Sequence, residues 1–561
     1  MVVDNKKNCG DNLDKPVLAM YDVRGIQKYI FRTIRVQDAR GASGIIENII
    51  EEAITFAVST IKKKEGFAEL KAETIWHDGS APLKYVNNDN NIQVLYSGGG
   101  NASFVFSSKS LCIEINKLMS KYVLDNTYSL QLALAFVEKT DNYSEDYKKV
   151  NAELAKNKAK MVNLLPLGTL PIMKMEVKTG YPIEEIDKDT KEPKYSRETA
   201  IKMSHAKKQN EKAGKVNRRF EDYITKKGKD SNLAVVHIDG NNMGLRIRGI
   251  VQDITDYEKA VNKIREISFN INNSFNYVFD EMASYYNETG AIEEKDNNNF
   301  VLKILVAGDD ITYICNAGIA IDTVNYYCNT IADRTMINKS DEHDVIDFLK
   351  KNGFSVCAGI AFFTSHFPFY IAYDVAESCC NSAKKYAKAN KIDGMISNWL
   401  DYQICKNIQA IDLEKVRTGE YVTAENEVLY RRPYYVSIER DDKARECYSA
   451  FENKISDIHK LSKLEEAIMY FKNTKNLPRS ISKEIRNIYP EGSGVINSYV
   501  EFLKSRKHKM PDGEYNMYLK EDENKIAKWY DALEMLDYYS PQFKYYESEN
   551  MTEQEAGDNN E

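Results

Sequence analysis

Within Leu302–Cys315, two apolar runs flank Ala307-Gly308-Asp309-Asp310. Runs of strand length around a glycine turn predict a β-hairpin with both acids at its tip. Adjacent carboxylates repel, and a fold that keeps them commonly neutralises them with a divalent cation. Upstream, Leu233–Gly240 is an apolar run that ends in Asp239 and Gly240, predicting a buried strand whose terminal acid stands at a sheet edge. Oxygen donors without a His or Cys partner favour Mg²⁺ or Mn²⁺ over Zn²⁺. Two such ions about 3.5 to 4 Å apart drive in-line nucleotidyl transfer. Alone, Gly-Asp-Asp also reads as an ordinary polar turn; the strand ending at Asp239 is what tips the reading to a metal site formed by Asp239, Asp309 and Asp310.

The elements that must position these acids occur twice. Leu95–Phe106 aligns with the acidic hairpin without a gap: Gly99 matches Gly308, while Gly100 and Asn101 stand where Asp309 and Asp310 are. Val17–Asp22 parallels the strand ending at Asp239, and Leu130–Phe136 parallels Ser355–Ala361. Between first strand and hairpin each copy carries helix-period sequence, at Ile26–Ile61 and Tyr257–Tyr286. Each copy therefore reads as strand, helices, hairpin, helix, strand, a ferredoxin-like α+β unit. A copy without hairpin acids cannot hold two cations, yet its glycine turn stays open to a phosphate or base. It either positions a second nucleotide or merely completes a pseudo-dimer.

At 561 residues, the chain is too long for one core. Its 43% hydrophobic and 29% charged residues describe a globular protein, and a net charge of −7 gives no global nucleic-acid signature. No long apolar run or apolar leader is present, so the expectation is a cytoplasmic protein without membrane association. The nine cysteines never form Cys-x-x-Cys and read as buried small hydrophobes. The predicted organisation is a first unit over 1–140, a basic insert over 141–230, a second unit over 231–435, a helical domain over 436–545 and an acidic, disordered tail over 546–561. Helix-period sequence in the helical domain includes Leu461–Lys472, Val495–Lys504 and Ile526–Leu536. Basic residues outnumber acidic ones in Lys191–Lys229, which suits either a polyphosphate or RNA contact or a solvated linker.

Together, Asp239–Gly244, Ala307–Asp310, Cys357–Ile360, Ala376-Glu377, Ala383-Lys384, Gly25–Ile30, Gly41–Ser43, Ser97–Asn101 and Arg432-Pro433-Tyr434 resemble the large subunit of type III CRISPR effector complexes. That family has two palm domains, synthesises cyclic oligoadenylate and is related to diguanylate cyclases. The resemblance covers most of residues 17 to 435. It implies two pseudo-symmetrically paired palms plus a C-terminal helical bundle, a catalytic second palm, ATP as substrate, and guide or target RNA reached through sister subunits. A departure is Ala307 in place of the family's usual glycine; the expectation is also that the family's N-terminal histidine-aspartate nuclease domain and cysteine-rich insertion are missing.

By the same resemblance, Asp239, Asp309 and Asp310 hold the two ions, with the Gly240 carbonyl completing coordination and Gly308 shaping the nucleotide path. Lys384 reaches the triphosphate, with Lys385 behind it. In the first palm, Gly41-Ala42-Ser43 is expected to open a helix, where Ser43 caps it and free N–H groups receive a phosphate or base edge. Ser97, Gly98, Gly99 and Asn101 are the further candidates for the second nucleotide. The expected function is metal-dependent condensation of ATP into a cyclic or linear oligoadenylate messenger for antiviral defence. The alternatives are a catalytically silent nucleotide-binding scaffold in a CRISPR ribonucleoprotein, and a dinucleotide cyclase that uses GTP.

Overall fold

The computed structural model describes residues 15–32, 36–64, 66–161, 172–177, 179–186, 191–212, 232–289, 301–337, 354–406, 412–439, 442–521, 524–539 and 541. The acidic tail and residues 213–229 of the basic segment lie outside them. The chain divides into two compact units, Met1–Arg218 with Asn242–Asn273, and Arg219–Asn241 with Ser274–Glu561. Both are mixed α/β with palm-like sheets, the expected fold class.

Unit 1 runs β1 (Val17–Arg24), α1 (Ile26–Phe31), α2 (Val36–Ile61), β2 (Ala72–Glu73), β3 (Ile92–Gly98), β4 (Asn101–Phe106), α3 (Lys109–Thr127), β5 (Gln131–Glu138), α4 (Tyr143–Lys160), β6 (Ile183–Ile186), β7 (Pro193–Ser196) and α5 (Arg197–Lys212). Its main sheet has the order β2-β3-β4-β1-β5. Leu18, Leu95, Val105, Ala133 and Ala135 from the strands bury against Tyr143, Val150 and Leu154 of α4.

Unit 2 begins with β8 (Asn232–Gly240). Next along the chain come α6 (Met243–Val251), which belongs to unit 1, and α7 (Tyr257–Thr289), within which the division falls. Unit 2 continues with β9 (Val301–Ala307), β10 (Asp310–Asn316), α8 (Ala320–Ile337), β11 (Val356–Thr364), α9 (Phe369–Ala389), β12 (Trp399–Ile404), α10 (Leu413–Glu420) and β13 (Tyr434–Tyr435). Its sheet order is β13-β12-β11-β8-β10-β9. Four strands of each sheet thus repeat one order, hairpin, first strand, last strand, as the internal duplication predicts.

The remaining elements are α11 (Asp442–Lys454), α12 (Leu461–Lys472), α13 (Arg479–Ile488), α14 (Ser493–Ser505), β14 (Tyr518–Glu521), β15 (Asn524–Ala527) and α15 (Tyr530–Met535). The helical expectation over Ile526–Leu536 needs correction: Ile526 pairs with Leu519 in a two-stranded hairpin, and the helix starts only at Tyr530. A short apolar run satisfies both periods, and the cross-strand partner decides. Helix α15 ties back to the sheet: Asp531 accepts hydrogen bonds from the Tyr434 hydroxyl at 2.6 Å and from the Arg431 N–H at 2.9 Å. Glu534 takes the fully buried Arg432 guanidinium at 3.3 Å.

Candidate active site

Strand β8 is central in its sheet, and register carries its last acid to the hairpin. Asp239 lies opposite Asp310 on β10 and opposite Cys357 on β11. The Gly240 N–H donates to the Asp309 carbonyl at 3.1 Å, which closes the corner. Beyond it Asn241 is buried, with its N–H on the Ser355 carbonyl at 2.9 Å and its amide on Ser355 Oγ at 3.0 Å and the Ser397 carbonyl at 3.2 Å. That clamp fixes where Asp239 ends up. Gly308 has φ +64°, the left-handed conformation that a two-residue hairpin turn demands of its first residue, while Asp309 does not.

The acids strain one another electrostatically. Burial first, and then the neighbouring Asp239, raise the Asp309 carboxyl to about 6. Burial, Asp239, Asp309 and Glu377 raise Asp310 to about 8. Asp310 Oδ1 is buried and accepts no hydrogen bond among the described residues; His237 Nδ1 stands 3.5 Å away. Burial lowers His237 to about 4, so its ring is neutral at pH 7 and supplies no counter-charge; it hydrogen-bonds Thr312 Oγ1 at 3.1 Å. The positive charge comes from Lys384 on α9, ion-paired with Asp239 and held above its ordinary range by Asp239 against the opposing pull of burial. Lys385 is exposed on the same helix.

Helix α9 reaches Asp239 because it lies unusually close to β11. A Cβ at Gly359 would stand 2.0 Å from the Ala376 carbonyl oxygen and 2.3 Å from the Cys380 nitrogen. Only glycine permits that approach.

Hard carboxylate oxygens that raise one another's pKa, one of them buried without a hydrogen bond, are the donor chemistry a divalent ion takes. Among the described residues, however, no three His, Cys, Asp or Glu side chains are drawn into metal-ligand geometry, and Asp239 holds Lys384 instead. The donor set fits Mg²⁺ or Mn²⁺ if that ion pair opens.

The first palm repeats this frame with other side chains. Asp22 lies opposite Asn101, as Asp239 lies opposite Asp310, and the Val23 N–H donates to the Gly100 carbonyl at 2.8 Å. Asp22 pairs with Lys158 of α4 as Asp239 pairs with Lys384 of α9. Sequence reading missed both Asp22 and Lys158; the signal was Asp22 at the end of a strand already matched to β8. Gly99 and Gly100 both have positive φ, +60° and +81°, the type I′ pattern, and a Cβ on Gly100 would stand 2.4 Å from Ile26 Cδ1. An acid in place of Gly100 would therefore have to adopt a left-handed backbone and push the Ile26 side chain aside. A cavity of about 710 Å³ in unit 1 is lined by Asp22, Asn101, Lys158, Lys148, Arg248 and Tyr147, among others. Asn101 faces it; Ser97, Gly98 and Gly99 are not among its lining residues.

Ser43 is placed differently from expectation. Helix α2 already starts at Val36, so Gly41–Ser43 lie inside it and their N–H groups belong to its ladder instead of a free N-terminus. The glycine serves packing: a Cβ on Gly41 would stand 2.2 Å from the Lys202 carbonyl oxygen of α5.

Comparison with known proteins agrees with the second palm. The family model for Cas10/Cmr2, second palm domain, matches residues 232–393. No curated protein sequence matches the chain. Solved structures similar to it include a Csm1-Csm4 cassette in complex with AMPPNP (15% identity, TM-score 0.38, 68% of this chain and 54% of that one) and one in complex with cA4 (14%, 0.43, 85% and 63%). A Csm1-Csm4 cassette in complex with pppApA matches at 12% identity and a TM-score of 0.49, over 94% of this chain and 69% of that one. The chain thus spans 54% and 63% of the length of the first two. The segment 232–393, which carries the acids at the β8 end and hairpin tip and the lysine on α9, is thus similar to the second palm domain of Cas10/Cmr2.

Proposed function

We propose that unit 2 is the catalytic half of a nucleotidyltransferase that condenses ATP into a cyclic or linear oligoadenylate messenger in antiviral defence, working with CRISPR effector subunits and their RNA. The observation that carries this reading is the register pairing of Asp239 with Asp310 beside Asp309, in a segment that matches a Cas10/Cmr2 palm. Asp239, Asp309 and Asp310, with the Gly240 carbonyl, would hold two Mg²⁺ or Mn²⁺ ions, which supply activation of the attacking hydroxyl and neutralisation of the displaced pyrophosphate.

The chain's own contribution is placement and charge. Gly308 leaves the hairpin tip without a side chain, and nothing lies within 4 Å of where its Cβ would be, so the turn gives a nucleotide room. Ala307 adds one methyl beside it without removing a ligand. Lys384 is the cation for the triphosphate once it leaves Asp239, with Lys385 behind it. Neutral His237 fixes the back of the site and offers no proton at pH 7. Unit 1 would seat the second nucleotide beside Asn101.

Mass spectrometry of products after incubation with ATP and Mg²⁺ or Mn²⁺, with and without guide and target RNA and sister subunits, tests the proposal. Oligoadenylates that vanish in Asp309→Ala/Asp310→Ala are expected. Protein that binds ATP yet forms no phosphodiester under any activator overturns it, and a GTP-derived product reassigns the base.

A further inference from the structure

The two palms share one frame but invert its charge. At the β8 corner, Asp239, Asp309, Asp310 and Glu377 act on one another against the single cation Lys384. At the β1 corner, the hairpin supplies Gly100 and Asn101, so among the described residues Asp22 is the only acid lining the cavity. Its partner Lys158 lines the same cavity with Lys148 and Arg248. The β8 corner therefore attracts dications and the β1 corner repels them. Aromatic rings line it as well: Tyr147 stacks on Tyr143 with ring centroids 5.7 Å apart at 28°. Cations and stacked rings lining one roomy cavity suit a ligand with a polyanionic end and a flat apolar end.

Resting on the reading that unit 1 seats the second nucleotide, we propose that it does so without a divalent ion: Lys158, Lys148 and Arg248 replace the metal as the counter-charge of the phosphates, and Asp22 competes with them for Lys158. Lys158 and Asp22 are thus positioning residues for the acceptor nucleotide. The pair is half-open already, with the Lys158 side chain 39% and that of Asp22 21% exposed. An incoming phosphate can draw Lys158 away without unfolding any element.

Calorimetric titration of the full-length protein with ATP, in Mg²⁺ and in excess EDTA, separates the two corners. One binding event is expected to survive EDTA, to persist in Asp309→Ala/Asp310→Ala, and to weaken at least tenfold in Lys158→Ala. Because Lys158→Ala also strands Asp22, Arg248→Glu on an exposed helix position provides a second loss variant, also expected to weaken it. Asp22→Asn is the decisive sign: it should tighten ATP in EDTA, since it releases Lys158. Adenosine and inorganic tripolyphosphate, titrated separately, should each bind more weakly than ATP. Binding that disappears in EDTA, or that weakens in Asp22→Asn, overturns the inference. Its failure is distinct from failure of the catalytic reading, which is judged by product alone: an EDTA-resistant site without product would leave this inference standing and refute the other.

Discussion

On the proposed function, Lys384 is the residue on which metal binding and turnover would pull in opposite directions. It is ion-paired with Asp239; on the proposed function that pair would cover an oxygen a cation needs, and Lys384 would serve phosphate once it leaves. Replacing it with alanine should therefore lower the Mn²⁺ concentration for half-maximal activity while cutting turnover by about 10²-fold, the usual cost of losing one charge-stabilising donor. Metal titration of product formation reads both numbers, and unchanged turnover would reduce Lys384 to a structural partner. The three acids were legible from residue types, because a strand-terminal Asp and a Gly-Asp-Asp turn are local signals. Lys384 needed the family resemblance, and Asp22 with Lys158 escaped altogether, since an ion pair between residues 136 positions apart leaves no local trace.

At the scale of elements, the site depends on how closely α9 approaches β11. Gly359→Ala forces a methyl against the Ala376 carbonyl and the Cys380 nitrogen, both backbone atoms that cannot rotate away. Helix and strand must separate, at about 1 to 3 kcal/mol for overpacking. Denaturant unfolding should show that loss, and activity of the still-folded variant should fall because Lys384 moves with its helix; wild-type stability would refute the packing argument. The hairpins illustrate the same dependence. Gly308 and Gly99 were readable as turns, but the crowding of Gly100 by the Ile26 side chain was not. Ser43 failed for a related reason: Gly-Ala-Ser resembles a helix start, but α2 already runs from Val36 and packs on α5 at Gly41, so Ser43 is helix interior.

For the whole molecule, the C-terminal helices carry an ionisable core with a predictable pH dependence. Burial first, then Asp322, raises the Glu465 carboxyl from about 4.5 to about 8, with Glu439 and Glu466 adding to it. The Tyr539 hydroxyl lies 2.9 Å from Glu465 and also contacts Asp322. The native state thus holds a proton that the unfolded chain releases near 4.5, so this group's stabilisation is complete below that pH and is lost as pH rises to about 8. Thermal unfolding from pH 5 to 9 should show Glu465→Gln gaining on the wild type as pH rises, and parallel curves would contradict the assignment. Among the described residues, no helix is long and apolar enough to cross a membrane.

The amino-acid sequence alone determined the duplicated strand-hairpin-strand plan and put Asp239, Asp309 and Asp310 at matching ends, because strand period, glycine turns and the order of elements are local properties that register then propagates. Only the tertiary structure decided which cations meet those acids, what crowds Gly100, and that Gly41–Ser43 is helix interior instead of a free N-terminus. Those outcomes depend on helices packing against strands distant in sequence, and packing distance, unlike periodicity, is not written in any one segment.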